Sequence, residues 1–79
     1  MDDPGMVFDL NVKDADRRLV LEDIFAQAGR ALVIDELPEG VVTVHAADLS
    51  FHDALKLVLP EGYQAIEREP RVYHIRRAA

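Results

Sequence analysis

The side chains best equipped for metal binding or proton transfer are three histidines and fifteen carboxylates, set in a chain of 79 residues. His45, His52 and His74 are separated by 7 and 22 residues. Zinc sites bring imidazoles together through an i, i+4 pair on a helix or through short-loop spacing, and neither is present. Three independent surface histidines are the expectation. A catalytic pair of carboxylates needs a concave, partly dry pocket that draws the two pKa values apart. A domain this small, with its helices committed to one core, has little room for such a pocket. Ser50 sits where a helix begins and has no base near it in sequence, so it is expected to cap rather than attack. The four glycines, Gly5, Gly29, Gly40 and Gly62, are isolated, so no phosphate-cradling loop is formed. With no cysteine there is neither a disulfide framework nor a thiolate ligand. The expectation is a protein that is not an enzyme, with no cofactor, no metal and no small-molecule substrate.

Charge narrows the partners. The net charge is −6 and the isoelectric point lies near 4.8, whereas nucleic acid and anionic membrane both call for a basic face. The charge is unevenly spread: residues 1–66 hold 5 basic and 13 acidic side chains, and residues 67–79 hold 4 and 2. Neither nucleic acid nor an anionic membrane is therefore expected as a partner. No apolar run approaches the roughly 20 residues that span a bilayer, and the start lacks the basic-then-apolar layout of a signal peptide. If the parent is exported, this chain is expected to be a piece of it.

The elements follow from hydrophobic periodicity. Residues 1–5 contain Pro4-Gly5 and are expected to be a loose lead-in or an expression remnant, residues 6–76 one domain, and residues 77–79 a tail. Phe8, Leu10 and Val12 alternate with Val7, Asp9 and Asn11, the period of a half-buried strand. Lys13 to Asp16 is expected to be a turn in which Asp14 or Asp16 caps the next helix. Val20, Leu21, Ile24, Phe25 and Ala28 fill an arc of about 140° on that helix. Arg17 falls in the same arc, so either it snorkels over the core edge or the helix starts slightly later. Gly29 ends the helix. A strand from Ala31 to Asp35, a turn through Pro38 and Gly40, and a strand from Val42 to Ala46 come next.

The second helix is expected from Ser50 to Leu59. Ser50 and Asp53 form a capping box, and Phe51, Ala54, Leu55, Val58 and Leu59 face inward. Pro60 and Gly62 stop it. Tyr63 to Glu67 and Arg71 to Arg76 read as a hairpin around Glu69-Pro70, with Tyr63, Ala65, Tyr73 and Ile75 inward. The order is βαββαββ. The motif Val-x-x-Ala-Asp occurs at Val12 to Asp16 and again at Val44 to Asp48, which suggests two equivalent halves.

With both helix stripes spent on the core, the free surface is backbone. Unpaired strand edges accept an added strand. The outward residues Val7, Asp9 and Asn11 of the first strand, with Val41, Thr43 and His45 of the third, are the candidate partner face; the alternative is that Val7 and Val41 merely cover a secondary core.

These pieces resemble a known family. The residues are Phe8-Asp-Leu-Asn-Val12, Ile24-Phe-Ala-Gln-Ala-Gly29, Leu32-Val-Ile-Asp35, Val42-Thr-Val44, Leu49-Ser-Phe-x-Asp-Ala-Leu55, Gly62-Tyr63 and Val72-Tyr-His-Ile75. In order and spacing they resemble the short N-terminal (STN) domain shared by bacterial secretins and TonB-dependent signalling receptors, across residues 6–76. The stretch Val44-His-Ala-Ala-Asp-Leu49 lacks the glycine common in the receptor branch, which favours the secretin branch. Arg17 departs from the family, where an apolar residue usually opens the first helix.

The resemblance implies an α+β fold with two helices between a two-stranded and a three-stranded mixed sheet. It also implies a periplasmic domain of an outer-membrane protein from a secretion or type IV pilus system. Such a domain contacts an inner-membrane or periplasmic component and sits beside neighbouring subunits in a ring. The alternative within the family is a receptor signalling domain that binds an anti-sigma regulator. A KH-type nucleic-acid-binding domain would need a Gly-x-x-Gly loop and a basic groove, and both are missing.

Overall fold

The structure, a computed structural model, describes residues 8–78. The order is β1 (Phe8–Asp16), α1 (Arg17–Ala28), β2 (Ala31–Ile34), β3 (Val41–Leu49), α2 (Phe51–Val58), β4 (Tyr63–Glu69) and β5 (Val72–Arg77). β1 and β3 form a two-stranded antiparallel sheet, and β2, β5 and β4 form a three-stranded mixed sheet in that order. The fold is α+β, as the order of elements implies. Residues 1–5, expected to be a loose lead-in, lie outside the described residues.

The two helices lie between the sheets because each has one apolar stripe and each sheet one apolar face. Val20, Leu21, Ile24, Phe25 and Ala28 of α1 are buried, as are Phe51, Ala54, Leu55 and Val58 of α2. Phe8, Leu10 and Val42 close the core from one sheet, and Tyr73 and Ile75 close it from the other. Its centre is aromatic: Phe25, Phe51 and Tyr73 meet edge to face with centroids 5.1 to 5.6 Å apart, and Phe8 leans on Phe51 at 6.2 Å. These separations suit rings whose positive edges meet negative faces.

Several boundaries differ from expectation: β2 stops at Ile34, α2 at Val58, and β5 runs from Val72 to Arg77, taking in the first residue of the expected tail, while three strand ends differ by two residues or more. Lys13 to Asp16 is not a turn; β1 runs on to Asp16 opposite Val41. The ladder slips between Val12 and Ala15, where Asp14 takes a φ of 51° and donates its amide to Thr43 Oγ1 at 3.0 Å. An extra residue absorbed in a bulge keeps the apolar face inward while breaking the alternation that marks a strand. Asp16 is the cap, accepting from the amides of Arg18 and Leu19. β3 likewise continues past Ala46 to Leu49, and β4 continues past Glu67 to Glu69.

The two Val-x-x-Ala-Asp copies are not equivalent: Asp16 caps α1 with a φ of −57°, while Asp48 has a φ of 58° and precedes the Ser50 cap. Gly29 ends α1 at a φ of 68° as expected, a left-handed position that favours glycine.

Arg17 is half-buried and holds three elements together. Its backbone amide donates to the Gly40 carbonyl and its Nε to the Val58 carbonyl, both at 3.1 Å. The side chain satisfies the open carbonyl end of α2, and Gly40 leaves it space: a Cβ there would stand 2.9 Å from Nη1.

Candidate functional site

The two-stranded sheet has β1 and β3 as its only strands, so each keeps one edge without a partner among the described residues. Of the candidate face, Asp9, Asn11, Val41, Thr43 and His45 are all exposed, and Val7 lies outside the described residues. Asn11 and His45 are directly opposed in the ladder, and Asn11 Oδ1 is hydrogen-bonded to His45 Nδ1. Asp9 Oδ1 accepts from the Asp48 amide at 3.0 Å, and Thr43 Oγ1 accepts from the Asp14 amide. The four polar residues thus serve the sheet first, with two of them satisfying the irregular backbone at Asp14 and Asp48.

Each polar residue keeps further hydrogen-bonding capacity. A carboxylate or carboxamide oxygen has a second lone pair, and a hydroxyl also donates. Val41 stands apart at the end of the ladder opposite Asp16, 57% exposed beside Leu37 and Pro38.

The structure adds a feature that periodicity missed. A groove of about 380 Å³ runs between β1 and α1, lined by Asp9, Leu10, Asn11 and Val12 on one side and Leu19, Val20 and Asp23 on the other. Leu19 is 62% exposed, the highest value among the exposed large apolar side chains of the described residues. The available signal was a leucine off the buried stripe of α1. Asp9 and Asp23 flank it, so the groove offers an apolar contact with an acidic rim.

The remaining chemistry-bearing residues are dispersed. His74 Nδ1 meets Asp35 Oδ2 at 3.0 Å on the three-stranded sheet, and His52 lies against the Phe51 ring on α2. Among the described residues no cluster of three or more metal-ligating side chains forms, and no charged side chain is buried. Ser50 Oγ accepts from the Asp53 amide at 3.1 Å, the capping role expected of it. Arg77 is held above its ordinary pKa by hydrogen bonding to Tyr63 and by the charges of Tyr63 and Glu36, so it stays cationic.

Arg30, which sequence reasoning passed over, is built into the core rim. Its guanidinium carbon lies 4.2 Å from the Phe51 ring centre and 5.5 Å from that of Tyr73, and Nη1 donates to the Tyr73 hydroxyl at 2.9 Å.

No protein-family model matches the sequence. A comparison with curated proteins likewise gives no match. Solved structures do match. The N0 domain of the type II secretin from enterotoxigenic Escherichia coli superposes with a TM-score of 0.74 at 22% identity, covering 92% of this chain and 98% of that one. The N-terminal domain of the secretin XcpQ from Pseudomonas aeruginosa gives a TM-score of 0.66 at 26% identity, over 91% of this chain and 36% of that one. The XcpQN012 structure gives 0.65 at 26% identity, over 90% and 35%. The chain thus spans about a third of the XcpQ structures and nearly all of the N0 domain. Its fold is that of a secretin N-terminal domain, the branch of the resemblance without the glycine.

Proposed function

We propose that this chain is a non-catalytic periplasmic assembly domain of an outer-membrane secretin, and that it binds an inner-membrane or periplasmic component of a secretion system through its two-stranded sheet. The observation that carries the reading is the match to an isolated N0 domain over nearly the full length of both chains. The composition supports it: the domain is acidic, and no charged side chain is buried among the described residues, so its charge lies on the surface it presents to partners.

The binding face in this reading is the outer side and free edge of β1 and β3, comprising Asp9, Asn11, Val41, Thr43 and His45, with Val7 beyond the described residues. Leu19 supplies an exposed apolar anchor beside the β1 edge. A partner strand laid along that edge would gain backbone hydrogen bonds, and pockets for its alternate side chains would set the choice of partner. In the parent, neighbouring copies would stand side by side in a ring.

The test is a titration of the isotopically labelled domain with the periplasmic fragment of the inner-membrane component encoded beside the parent gene. Amide shifts are expected on β1, β3 and the first half of α1, and Leu19→Ser should weaken binding at least tenfold while leaving the melting temperature close to that of the parent. Shifts confined to β4, β5 or α2 would defeat the assignment of the face.

A further inference from the structure

The three-stranded sheet ends on β2, and that edge is built unlike the others. β2 pairs with β5 in parallel from Ala31↔Val72 to Ile34↔Ile75 with no slip in register. In a parallel ladder, alternate residues of a strand turn both backbone groups toward the same neighbour. The Ala31 and Asp35 amides donate to the carbonyls of Arg71 and Ile75 at 2.7 and 2.9 Å, so the odd-numbered residues face β5. The amides and carbonyls of Leu32 and Ile34 therefore point away from the sheet, where no described strand pairs with them. Four backbone groups thus have no strand partner among the described residues and stand in a short row.

Open edges invite unwanted pairing and are normally blunted by charge, bulges or proline. β4 carries Glu67, Arg68 and Glu69 with a slip in its register, and β1 has two slips and the left-handed Asp14. β2 is Ala-Leu-Val-Ile, without a charge, a proline or a bulge. Its brevity is its only protection.

Beside this edge an open groove of about 470 Å³ runs between β2 and α1, floored by Phe25, Leu32 and Ile34 and rimmed by Arg18, Glu22 and Arg30. In a chain of net charge −6, this rim carries two cations to one anion. Arg71, whose Nε donates to the Gly29 carbonyl at 3.3 Å, adds a cation where β2 begins. Arg30 is fixed by its hydrogen bond to Tyr73 and its seat over Phe51, so its remaining donors are already in place.

We propose that the free edge of β2 takes an extended peptide from a partner protein as a fourth strand. The peptide is apolar at its centre, over Phe25 and Leu32, and carries carboxylates at its ends, within reach of Arg18 and Arg30. Charge complementarity selects this occupant over a second copy of the chain, whose own β2 is followed by Asp35 and Glu36 at one end but preceded by Arg30 at the other, so that pairing it here would set a cation against the cationic rim. The edge belongs to the three-stranded sheet, so this site is separate from the β1–β3 face and stands or falls independently of it.

The test uses a blocked peptide, Glu-Val-Ile-Val-Glu, titrated to about 1 mM into the labelled domain. The Leu32 and Ile34 amides should shift and exchange more slowly with solvent, while those of β1 and β3 stay unmoved. Replacing both glutamates of the peptide by lysine should weaken binding at least tenfold. Ile34→Pro should abolish binding by deleting an outward amide the ladder does not use. Arg18→Glu, an exposed change that leaves the core intact, should weaken binding severalfold. No shift at the highest concentration, shifts on β4 or β1 instead, or equal affinity for the lysine peptide would overturn the proposal. So would protection of the same amides without peptide, accompanied by dimerisation in sedimentation, which would make the occupant a second copy.

Discussion

Arg30 provides the sharpest test of how the core is closed. Its guanidinium lies over Phe51, contacts Tyr73 and donates to the Tyr73 hydroxyl, all from a half-buried position. A cation over an aromatic face contributes about 0.5–2 kcal/mol, depending on how far water is excluded. The charged hydrogen bond contributes about 1.5 kcal/mol when part of it remains hydrated. Arg30→Met keeps most of the aliphatic packing and removes both effects, so it should cost about 2–3 kcal/mol. A domain of this size has about 4–12 kcal/mol in total. The melting temperature should therefore fall by about 8–20 °C. Tyr73→Phe deletes only the acceptor and should cost about 1 kcal/mol.

In the double variant the two losses should fall short of their sum by about 1 kcal/mol, the coupling of the hydrogen bond itself. Urea denaturation of the four proteins with a common slope measures this directly. An Arg30→Met variant within about 0.5 kcal/mol of the parent would refute the reasoning, because the cation would then be no more than a solvated surface charge. Full additivity would locate the effect in the Phe51 face alone.

Other substitutions probe separate parts of the frame. Leu55→Ala removes a side chain that is only 4% exposed and should cost about 2–5 kcal/mol in the same assay; a near-neutral result would mean that α2 does not face the core as described. Asp16→Ala should cost about 1 kcal/mol through the lost cap on Arg18 and Leu19, whereas Asp14→Gly, at a φ of 51°, should be neutral or slightly stabilising. Equal losses at the two positions would count against the assignment of the cap. Arg17→Met should cost about 1–3 kcal/mol by leaving the Val58 carbonyl without its donor, and hydrogen exchange should quicken first at the end of α2.

The parts legible in the sequence were those set by local pattern. Both helix stripes, the Ser50 cap and the Gly29 terminus follow from spacing and turn chemistry, and they stand where spacing puts them. The strand ends were not legible, because Asp14 and Asp48 sit in bulges that break the alternation while preserving the buried face. Nor could local pattern reveal that β2 lies parallel to β5, a pairing between residues about forty positions apart. Arg30 had no signal of its own: its role depends on Phe51 and Tyr73, which only the tertiary fold brings to it. Leu19 was visible only as a leucine off the stripe, and such residues are too common on surfaces to single out alone.

Why this architecture should meet proteins through strand margins follows from how it spends its apolar surface. Each helix is short, and its buried stripe is consumed between the two sheets, leaving Leu19 and Leu57 as its isolated exposed leucines. A partner helix would therefore find no continuous apolar seam on α1 or α2 to pack against. The sheets differ in kind: with two and three strands, they end in margins that no described element covers, and each margin beside α1 opens onto a groove. The two grooves are opposite in character, with acidic Asp9 and Asp23 beside β1 and basic Arg18 and Arg30 beside β2. One helix thus carries an acidic groove on one flank and a basic one on the other, and if both proposed sites hold, charge reversal on either flank should disturb that flank's partner and leave the other bound.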